Sequence, residues 1–285
     1  MRLGLHTSRA GSLENAAVKC HQLGGNTFQI FSSSPRMWRA SHLDPADIQR
    51  LRKARETWDL NPLVIHTNYL ANLASIDPVI REKSIRSFRG ELDRAKEIGA
   101  DYLVLHPGNY KDQSVQQGIA AFVLGLGEAA HGFKADDLTI LLENTVGSGR
   151  QLGSKFEELR MIRDLSEREC PLPLGYCFDT CHLFAAGFDI ADPAGLDQTI
   201  AHADQTLGIS EVKVIHSNDS KGELGSHLDR HENIGKGKIG EDGFRRILTH
   251  PALRNKPFIL ETPMDDDELA SADLQTLKRL SQPSE

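Results

Sequence analysis

The chain has 285 residues, of which 39% are hydrophobic and 26% charged, a composition typical of a globular protein with a sizeable core. No apolar stretch reaches the ~18 residues that span a bilayer, and the N-terminus lacks a signal-peptide pattern, so we expect neither a membrane partner nor secretion. The formal net charge of −7 argues weakly against a nucleic-acid partner, unless bound cations change the local field. Four cysteines in this length do not indicate a disulfide scaffold, so we expect a cytoplasmic protein.

Eight short apolar runs alternate along the chain with segments of helical pattern. The strands are predicted at RLGLHT, TFQIF, LVIHT, YLVLHP, TILLEN, LGYCFDT, VKVIHS and FILETP. The helices are predicted near residues 12–23, 45–58, 77–98, 112–132, 154–165, 193–207, 241–249 and 266–281. Continuous apolar strands are expected where both faces of a sheet are covered, so this alternation predicts an α/β fold. We expect a single (β/α)8 TIM barrel that forms one domain over residues 1–285.

The last six predicted strands each end in a residue that could bind a metal ion. Successive gaps between these residues are 40, 37, 36, 37 and 45 positions, close to the length of one strand–helix unit. Because the C-terminal ends of barrel strands converge on one face, which carries the active site, we expect one cluster. Imidazole and carboxylate together favour zinc, manganese or iron. The six residues are His66, His106, Glu143, Asp179, His216 and Glu261.

Three further candidate ligands lie outside the strands. His182 follows Asp179 by three positions, and Asp229 and His231 form an Asp-x-His pair inside the irregular segment 218–240. Alternate residues of an extended segment point the same way, so this pair could hold one ion together with His182. An exposed charged loop with a chance pair explains the spacing equally well.

Other polar residues near the strand ends carry a weaker signal. His6 closes the first strand and either lines the site or hydrogen-bonds inside the barrel mouth, and we favour the second interpretation. Cys177 and Cys181 share strand parity with Asp179. Small buried cysteines are common, so we do not assign these two as ligands.

Several segments resemble the endonuclease IV family of apurinic/apyrimidinic (AP) endonucleases. The matching segments are HTNYL, HPG, ENTVGSG, CFDTCHLFAAGFD, HSNDSKGELGSHLDRHENIGKGKIG and ETP, and the resemblance runs from the first strand to the last helix. The family is a (β/α)8 barrel with a trinuclear zinc site, and all nine ligand positions carry the expected residue types. The resemblance implies a first zinc at His66, His106 and Glu143, a second shared by Glu143 with Asp179, His216 and Glu261, and a third at His182, Asp229 and His231.

The resemblance also implies an activity in DNA base-excision repair. The enzyme would be a zinc-dependent hydrolase of the deoxyribonuclease IV type that cuts damaged double-stranded DNA 5′ to an abasic site. It would leave a 3′-hydroxyl and a 5′-deoxyribose phosphate, and it would trim blocked 3′ ends. Its cofactors would be three Zn²⁺ ions per chain, with Mn²⁺ able to replace one, and its catalytic residues would be Glu143 and Glu261. Glu261 would orient or deprotonate the attacking water, and the family implies a monomer.

The family inserts side chains into the duplex beside the lesion, and the matching positions here are Arg36, Tyr69 and Leu70. Apolar wedges that unstack a base step and kink DNA are a known device. Without the resemblance, we would expect Tyr69 and Leu70 to pack under their loop and Arg36 to be solvated. Candidates for phosphate contacts are the basic loop residues Arg36, Arg39, Lys111, Arg150, Lys221, Arg230, Lys236 and Lys238.

Two other functions remain compatible with the residues alone. A metal-dependent sugar isomerase or epimerase of the same barrel architecture also gathers histidines and acids at strand ends. A catalytically silent DNA-binding or scaffold barrel is the second alternative, although unpaired buried charges are costly to keep without metal. The extra set of His182, Asp229 and His231, together with the wedge candidates, favours the endonuclease over the isomerase.

Overall fold

Eight parallel strands close into a barrel in the computed structural model of this chain, which describes residues 1–40, 42–135, 137–263 and 267–282. The first seven barrel strands are β1 (Leu3–His6), β2 (Thr27–Phe31), β3 (Leu63–His66), β4 (Tyr102–Leu105), β5 (Thr139–Glu143), β6 (Leu174–Asp179) and β7 (Val212–His216). A short antiparallel pair follows, made of β8 (Asp219–Ser220) and β9 (His231–Glu232), before the last barrel strand, β10 (Phe258–Leu260). Barrel strands pair in chain order and β10 pairs with β1, which confirms the predicted (β/α)8 fold.

Helices cover the outside of the barrel. They are α1 (Leu13–Leu23), α2 (Pro45–Trp58), α3 (Pro78–Ile98), α4 (Val115–Ala130), α5 (Phe156–Ser166), α6 (Thr180–Ala186), α7 (Pro193–Leu207), α8 (Gly240–Thr249) and α9 (Asp267–Leu280), with a 3₁₀ turn at Ile209–Glu211. Most of them begin and end close to the predicted bounds. The side chains of Asp77 and Asp192 cap α3 and α7 by accepting backbone N–H bonds in front of a proline. Asp266, the first residue of the predicted final helix, lies outside the described residues.

The main apolar core lies between the strands and the surrounding helices. Its largest fully buried side chains include Phe28 from β2, Phe88 from α3, Phe122 from α4 and Phe244 from α8. Burial of these faces holds each helix against the barrel, because short amphipathic helices owe most of their stability to packing. Among the described residues, the structure contains no helix that is both long and apolar enough to cross a membrane.

Helix α6, which follows β6 directly, was not predicted from the sequence. The side chain of Asp179 accepts the backbone N–H of His182 at 2.8 Å and caps the helix, and Gly187 ends it with a left-handed backbone. Both signals were visible in the sequence. The helix is short, however, and its apolar residues look like a continuation of the strand.

Segment 218–240 is more ordered than its sequence indicates. The buried carboxylate of Asp219 holds the far end of the segment through backbone N–H bonds of 2.9–3.2 Å from Gly235, Gly237, Ile239 and Gly240. A Cβ atom on Gly237 would lie 2.5 Å from Asp219 Oδ1, so glycine is required for this approach. The segment therefore returns to the end of β7, which brings its middle over the barrel mouth.

Candidate metal centre

The strand-end candidates stand directly above an apolar layer inside the barrel. Each residue of this layer precedes one candidate by two positions in the sequence. Because successive side chains of a strand alternate between its two faces, the candidate and its layer residue point the same way. The six candidates therefore point inward at the C-terminal mouth of the barrel. The layer consists of the fully buried Val64, Val104, Leu141, Cys177, Val214 and Ile259.

The first group comprises His66, His106 and Glu143, whose nearest ligand-type atoms all lie within 4.8 Å of one another. His66 Nε2 is 3.0 Å from Glu143 Oε2, and His106 Nε2 is 3.5 Å from the same oxygen. One carboxylate oxygen thus faces two imidazole nitrogens, an arrangement in which a cation could replace the protons between them.

The second group comprises Glu143, Asp179, His216 and Glu261, again within 4.8 Å. His216 Nδ1 lies 3.1 Å from Glu143 Oε1 and 3.3 Å from Glu261 Oε2. Because Glu143 directs Oε2 toward the first group and Oε1 toward the second, its carboxylate can bridge two ions. Glu143, Asp179 and His216 are completely buried.

The third group comprises His182, Asp229 and His231. Asp229 Oδ1 lies 3.3 Å from His182 Nε2 and 3.2 Å from His231 Nε2, so helix α6 and strand β9 meet at one carboxylate oxygen. The spacing alone left this set undecided, and the fold brings it together. Cys181 lies near Asp179 and His231, but burial raises the pKa of its thiol to about 12, which favours the protonated form.

Hydrogen bonds to backbone carbonyls orient three of the imidazoles. The Nδ1 atoms of His66, His182 and His231 lie 2.8, 3.0 and 3.2 Å from the carbonyl oxygens of Thr67, Asn144 and Glu261 respectively. A histidine that binds a metal usually donates its other ring N–H in this way, which leaves Nε2 free to coordinate. Among the described residues, the buried Nε2 atoms of His182 and His231 face Asp229 Oδ1 without the geometry of a hydrogen bond, as two nitrogens around an ion would.

Opposite charges dominate the electrostatics of the site. Burial lowers the pKa of His182, but the carboxylates of Asp179 and Asp229 more than offset this and raise it to about 10. Burial and the same carboxylates act likewise on His231, whose pKa rises to about 9. Burial opposes ionisation of Glu143, yet the surrounding imidazoles hold its pKa well below the usual range. The carboxylate is therefore ionised and the two imidazoles of the third group carry protons at neutral pH.

Two amide side chains at the site were not predicted from the sequence. Asn144 and Asn218 follow metal-ligand candidates by one and two positions. Asn144 Oδ1 accepts the backbone N–H of Asp179 at 2.8 Å, and Asn218 Nδ2 donates to Asp179 Oδ2 at 2.5 Å. Their places in the sequence, directly after candidate ligands, could have identified them. An amide that is buried beside a charged cluster usually forms hydrogen bonds to it.

A third amide, Gln29, was also not predicted, although a polar residue inside the apolar run TFQIF was a visible signal. Its Nε2 lies 3.0 Å from His6 Nδ1. The favoured interpretation of His6, a hydrogen bond inside the barrel mouth, is therefore confirmed. His6 also lines the cavity above the metal groups.

Among the wedge candidates, Tyr69 lines that cavity, which has a volume of about 550 Å³ and is lined by members of all three groups. Tyr69 is 64% exposed, its ring meets Phe31 edge-on at 5.2 Å, and its backbone N–H donates to Pro35 at 3.1 Å. The interpretation that Tyr69 packs under its loop is therefore wrong. Leu70 is half-buried, and Arg36 is exposed.

The basic loop residues proposed for phosphate contacts are all exposed. Two of them already have acidic partners, since Lys221 lies 3.8 Å from Glu232 and Lys238 lies 2.6 Å from Glu223. Such exposed pairs are weak, so they would give way readily to a phosphate.

Comparisons with known proteins show the family and the fold of this chain. A family model described as a xylose isomerase-like TIM barrel matches residues 17–280. A probable endonuclease 4 from Solibacter usitatus is 60% identical over 281 residues, covering 99% of this chain and 97% of that protein. The crystal structure of endonuclease IV from Thermus thermophilus matches with a TM-score of 0.86 and 35% identity, covering 98% of both chains.

The barrel architecture is also shared with sugar-processing enzymes. The crystal structure of a D-tagatose 3-epimerase-like protein matches with a TM-score of 0.70 and 20% identity, covering 98% of this chain and 97% of that one. At this identity the likeness shows the fold alone. Since one fold hosts many chemistries, the site must decide the function.

Proposed function

This chain belongs to the endonuclease IV family, and from that premise we propose that it is a DNA repair endonuclease that hydrolyses the phosphodiester bond 5′ to AP sites. The products are a 3′-hydroxyl and a 5′-deoxyribose phosphate, and blocked 3′ ends are further substrates. The observation that carries the proposal is the convergence of nine imidazole and carboxylate side chains beneath the exposed ring of Tyr69. We further propose that residues 1–285 form one domain that acts as a monomer.

We propose that three zinc ions occupy the three groups, with manganese able to replace one. Five imidazoles and four carboxylates form the donor set, which suits zinc better than magnesium or calcium. The buried Nε2 atoms of His182 and His231, which converge on Asp229 Oδ1 at 3.3 and 3.2 Å, support a cation in the third group. When bound, the ions make the pocket floor positive, polarise the phosphate and lower the pKa of water toward ~7.

Glu261 is the better placed of the two proposed catalytic carboxylates to meet a substrate water. Its side chain is 16% exposed at the cavity, whereas that of Glu143 is 1% exposed. Burial opposes ionisation of Glu261, but the neighbouring imidazoles hold its pKa below the usual range, so it stays ionised at neutral pH. Glu261 would thus orient the attacking water or accept its proton, while Glu143 holds the first two groups together.

The exposed ring of Tyr69 supports the choice of substrate. An abasic nucleotide has no base to unstack, so rotating it out of the duplex costs little. Tyr69 stands above the first group on a support made by Phe31 and the Pro35 carbonyl, where its ring could fill the gap left in the helix. Arg36 lies in the same loop as Pro35, and Leu70 follows Tyr69.

Tyr69→Ala is expected to weaken binding of an abasic duplex by roughly tenfold, because ring–base stacking contributes ~1–3 kcal/mol. Zinc content should not change. Binding would be measured with an uncleavable abasic analogue and with the intact duplex. Tyr69→Phe keeps the ring and should bind like the parent, while Leu124→Ala removes an exposed apolar side chain from α4 as a control. Equal preference for abasic over intact DNA in Tyr69→Ala and parent would refute the wedge.

Zinc affinity of the third group is expected to rise with pH below about pH 9, because an ion must displace the protons held by His182 and His231. Each displaced proton raises the apparent affinity about tenfold per pH unit. The first group should depend less on pH at His106. Burial lowers the pKa of this imidazole to about 4, so it is already neutral at pH 7. Calorimetry in buffers of different ionisation enthalpy would count the protons, and pH-independent affinity between about pH 6 and 8 would contradict the assignment.

Cleavage of a duplex that carries one abasic-site analogue tests the function directly. We expect a single cut 5′ to the site, a 3′-hydroxyl product and loss of activity on chelation. An intact duplex in the presence of fully zinc-loaded protein would reject the proposal and favour a sugar isomerase or epimerase, which ketose substrates would then test.

A further inference from the structure

Gln29 occupies an unusual position, because it is a completely buried amide in the barrel strand β2. Its side chain contacts three titratable groups from three other parts of the barrel. Nε2 lies 2.5 Å from Glu261 Oε1 and 3.0 Å from His6 Nδ1, and Oε1 lies 2.9 Å from His216 Nε2. One neutral side chain therefore connects two members of the second group.

The orientation of the Gln29 amide follows from its partners. An ionised carboxylate only accepts hydrogen bonds, so the amide nitrogen must face Glu261. The reversed rotamer would set two oxygens against each other at the 2.5 Å contact. The second N–H then donates to His6 Nδ1, and the amide oxygen is left to accept from His216. Both N–H bonds and the carbonyl are thus in use.

This arrangement determines which atoms face the second group. His216 must carry a proton on Nε2 to donate to Gln29, so its Nδ1 is the nitrogen available to an ion. That Nδ1 faces Glu143 Oε1 at 3.1 Å and Glu261 Oε2 at 3.3 Å. Glu261 Oε1 is held by the amide, which leaves Oε2 as the oxygen directed into the group.

We propose that Gln29 is a positioning residue that orients Glu261 and His216 and thereby sets the metal affinity of the second group. The proposal rests on the proposed metal-dependent function of the site. Partners behind the ligands typically contribute 10–100-fold in metal affinity, because they hold ring orientation, tautomer and carboxylate rotamer. Gln29 contacts the ligands and not the cavity above them, so its effect passes through Glu261 and His216.

A neutral amide is required at this position because it must donate on one side and accept on the other. A glutamate could still accept from His216 Nε2, but it would set a second carboxylate against Glu261. A methionine has a similar length and could neither donate to Glu261 nor accept strongly from His216. These two substitutions therefore separate the two contacts.

Zinc titration of the metal-free full chain, without DNA and against a chromophoric chelator, tests the proposal. We expect Gln29→Met to bind one of its ions about 10–100-fold more weakly than the parent. Gln29→Glu should bind that ion at least as weakly, because the new carboxylate would repel Glu261 Oε1 out of its position even though the contact to His216 is kept. Cleavage at limiting zinc should show a lower kcat with an unchanged KM for DNA, partly rescued by added zinc.

Gln113→Met is the matched control, since this amide donates to the backbone carbonyls of Ala74 and Tyr110 and to no member of the three groups. It should bind zinc like the parent. Parental affinity for every ion in Gln29→Met, or an equal loss in Gln113→Met, would overturn the proposal. If Gln29→Met does not fold, Gln29→Asn keeps the amide on a shorter chain, and parental zinc affinity there would overturn it.

The titration contains no nucleic acid, so its outcome is independent of the substrate. A parent chain that binds zinc but leaves abasic DNA intact would reject the repair function and leave the role of Gln29 to be judged from the titration. If the parent cleaves abasic DNA, unchanged zinc binding in Gln29→Met would reject the role of Gln29 and leave the repair function standing.

Discussion

Glu261→Gln is expected to lower turnover on abasic DNA by about 10²–10⁴-fold while DNA affinity stays near that of the parent. The amide keeps the shape of the side chain, but it is not a base for the attacking water. Glu261 lines the cavity, and its Oε2 lies 3.3 Å from His216 Nδ1 within the second group. Single-turnover kinetics and binding of an uncleaved abasic analogue would separate the two effects.

A matched control for this substitution is Glu223→Gln, which removes an exposed carboxylate paired with Lys238 in the loop after β7. It should leave turnover unchanged. Zinc content of Glu261→Gln must be measured alongside the rate, because an amide is also a weaker ligand than a carboxylate. A near-parental rate with full zinc content would remove Glu261 from the catalytic step.

His182→Ala is expected to lower the zinc content by about one ion per chain and to slow cleavage by at least about tenfold, since even partners behind metal ligands are worth 10–100-fold. The buried Nε2 of His182 lies 3.3 Å from Asp229 Oδ1, and its Nδ1 lies 3.0 Å from the Asn144 carbonyl oxygen. Removing the imidazole therefore leaves Asp229 and His231 as two donors, too few for a stable zinc site.

The control is His202→Ala, which removes a half-buried imidazole on α7 that pairs with Glu157 at 2.8 Å and lies away from the three groups. Elemental analysis after dialysis against metal-free buffer would compare the three proteins. Unchanged zinc content in His182→Ala would reject the third group as a metal site. Loss of zinc in both variants would indicate a general effect on stability instead of a missing ligand.

The barrel was predictable because its signals are local. Each predicted strand is a continuous apolar run, and each gap matches one strand–helix unit. Strand side chains alternate, so an inward-facing Val64 requires an inward-facing His66, and likewise for Val104 and His106. The first and second groups follow from this period, together with the rule that parallel strands in a barrel end on the same face.

The third group was harder to predict, because its members come from segments without a regular pattern. Helix α6 is too short to show a clear apolar period, and it places His182 by starting at Asp179. The Asp229–His231 pair reaches the site because Asp219 ties the far end of segment 218–240 back to β7 through four backbone N–H bonds. The resemblance to the endonuclease IV family implied that these three residues form a metal site. Their spacing in the sequence did not distinguish a metal site from an exposed loop.

By itself the sequence determined the fold class, the strand ends that carry candidate ligands and the family, because periodicity, spacing and motifs are properties of neighbouring residues. Only the tertiary structure decided which atoms meet. Gln29 lies 187 positions from His216 and 232 from Glu261, so no local pattern links them. The exposure of Tyr69 likewise depends on a hydrogen bond to Pro35 from another loop. Such contacts arise when the barrel closes, because closure brings chain ends and distant loops to one rim.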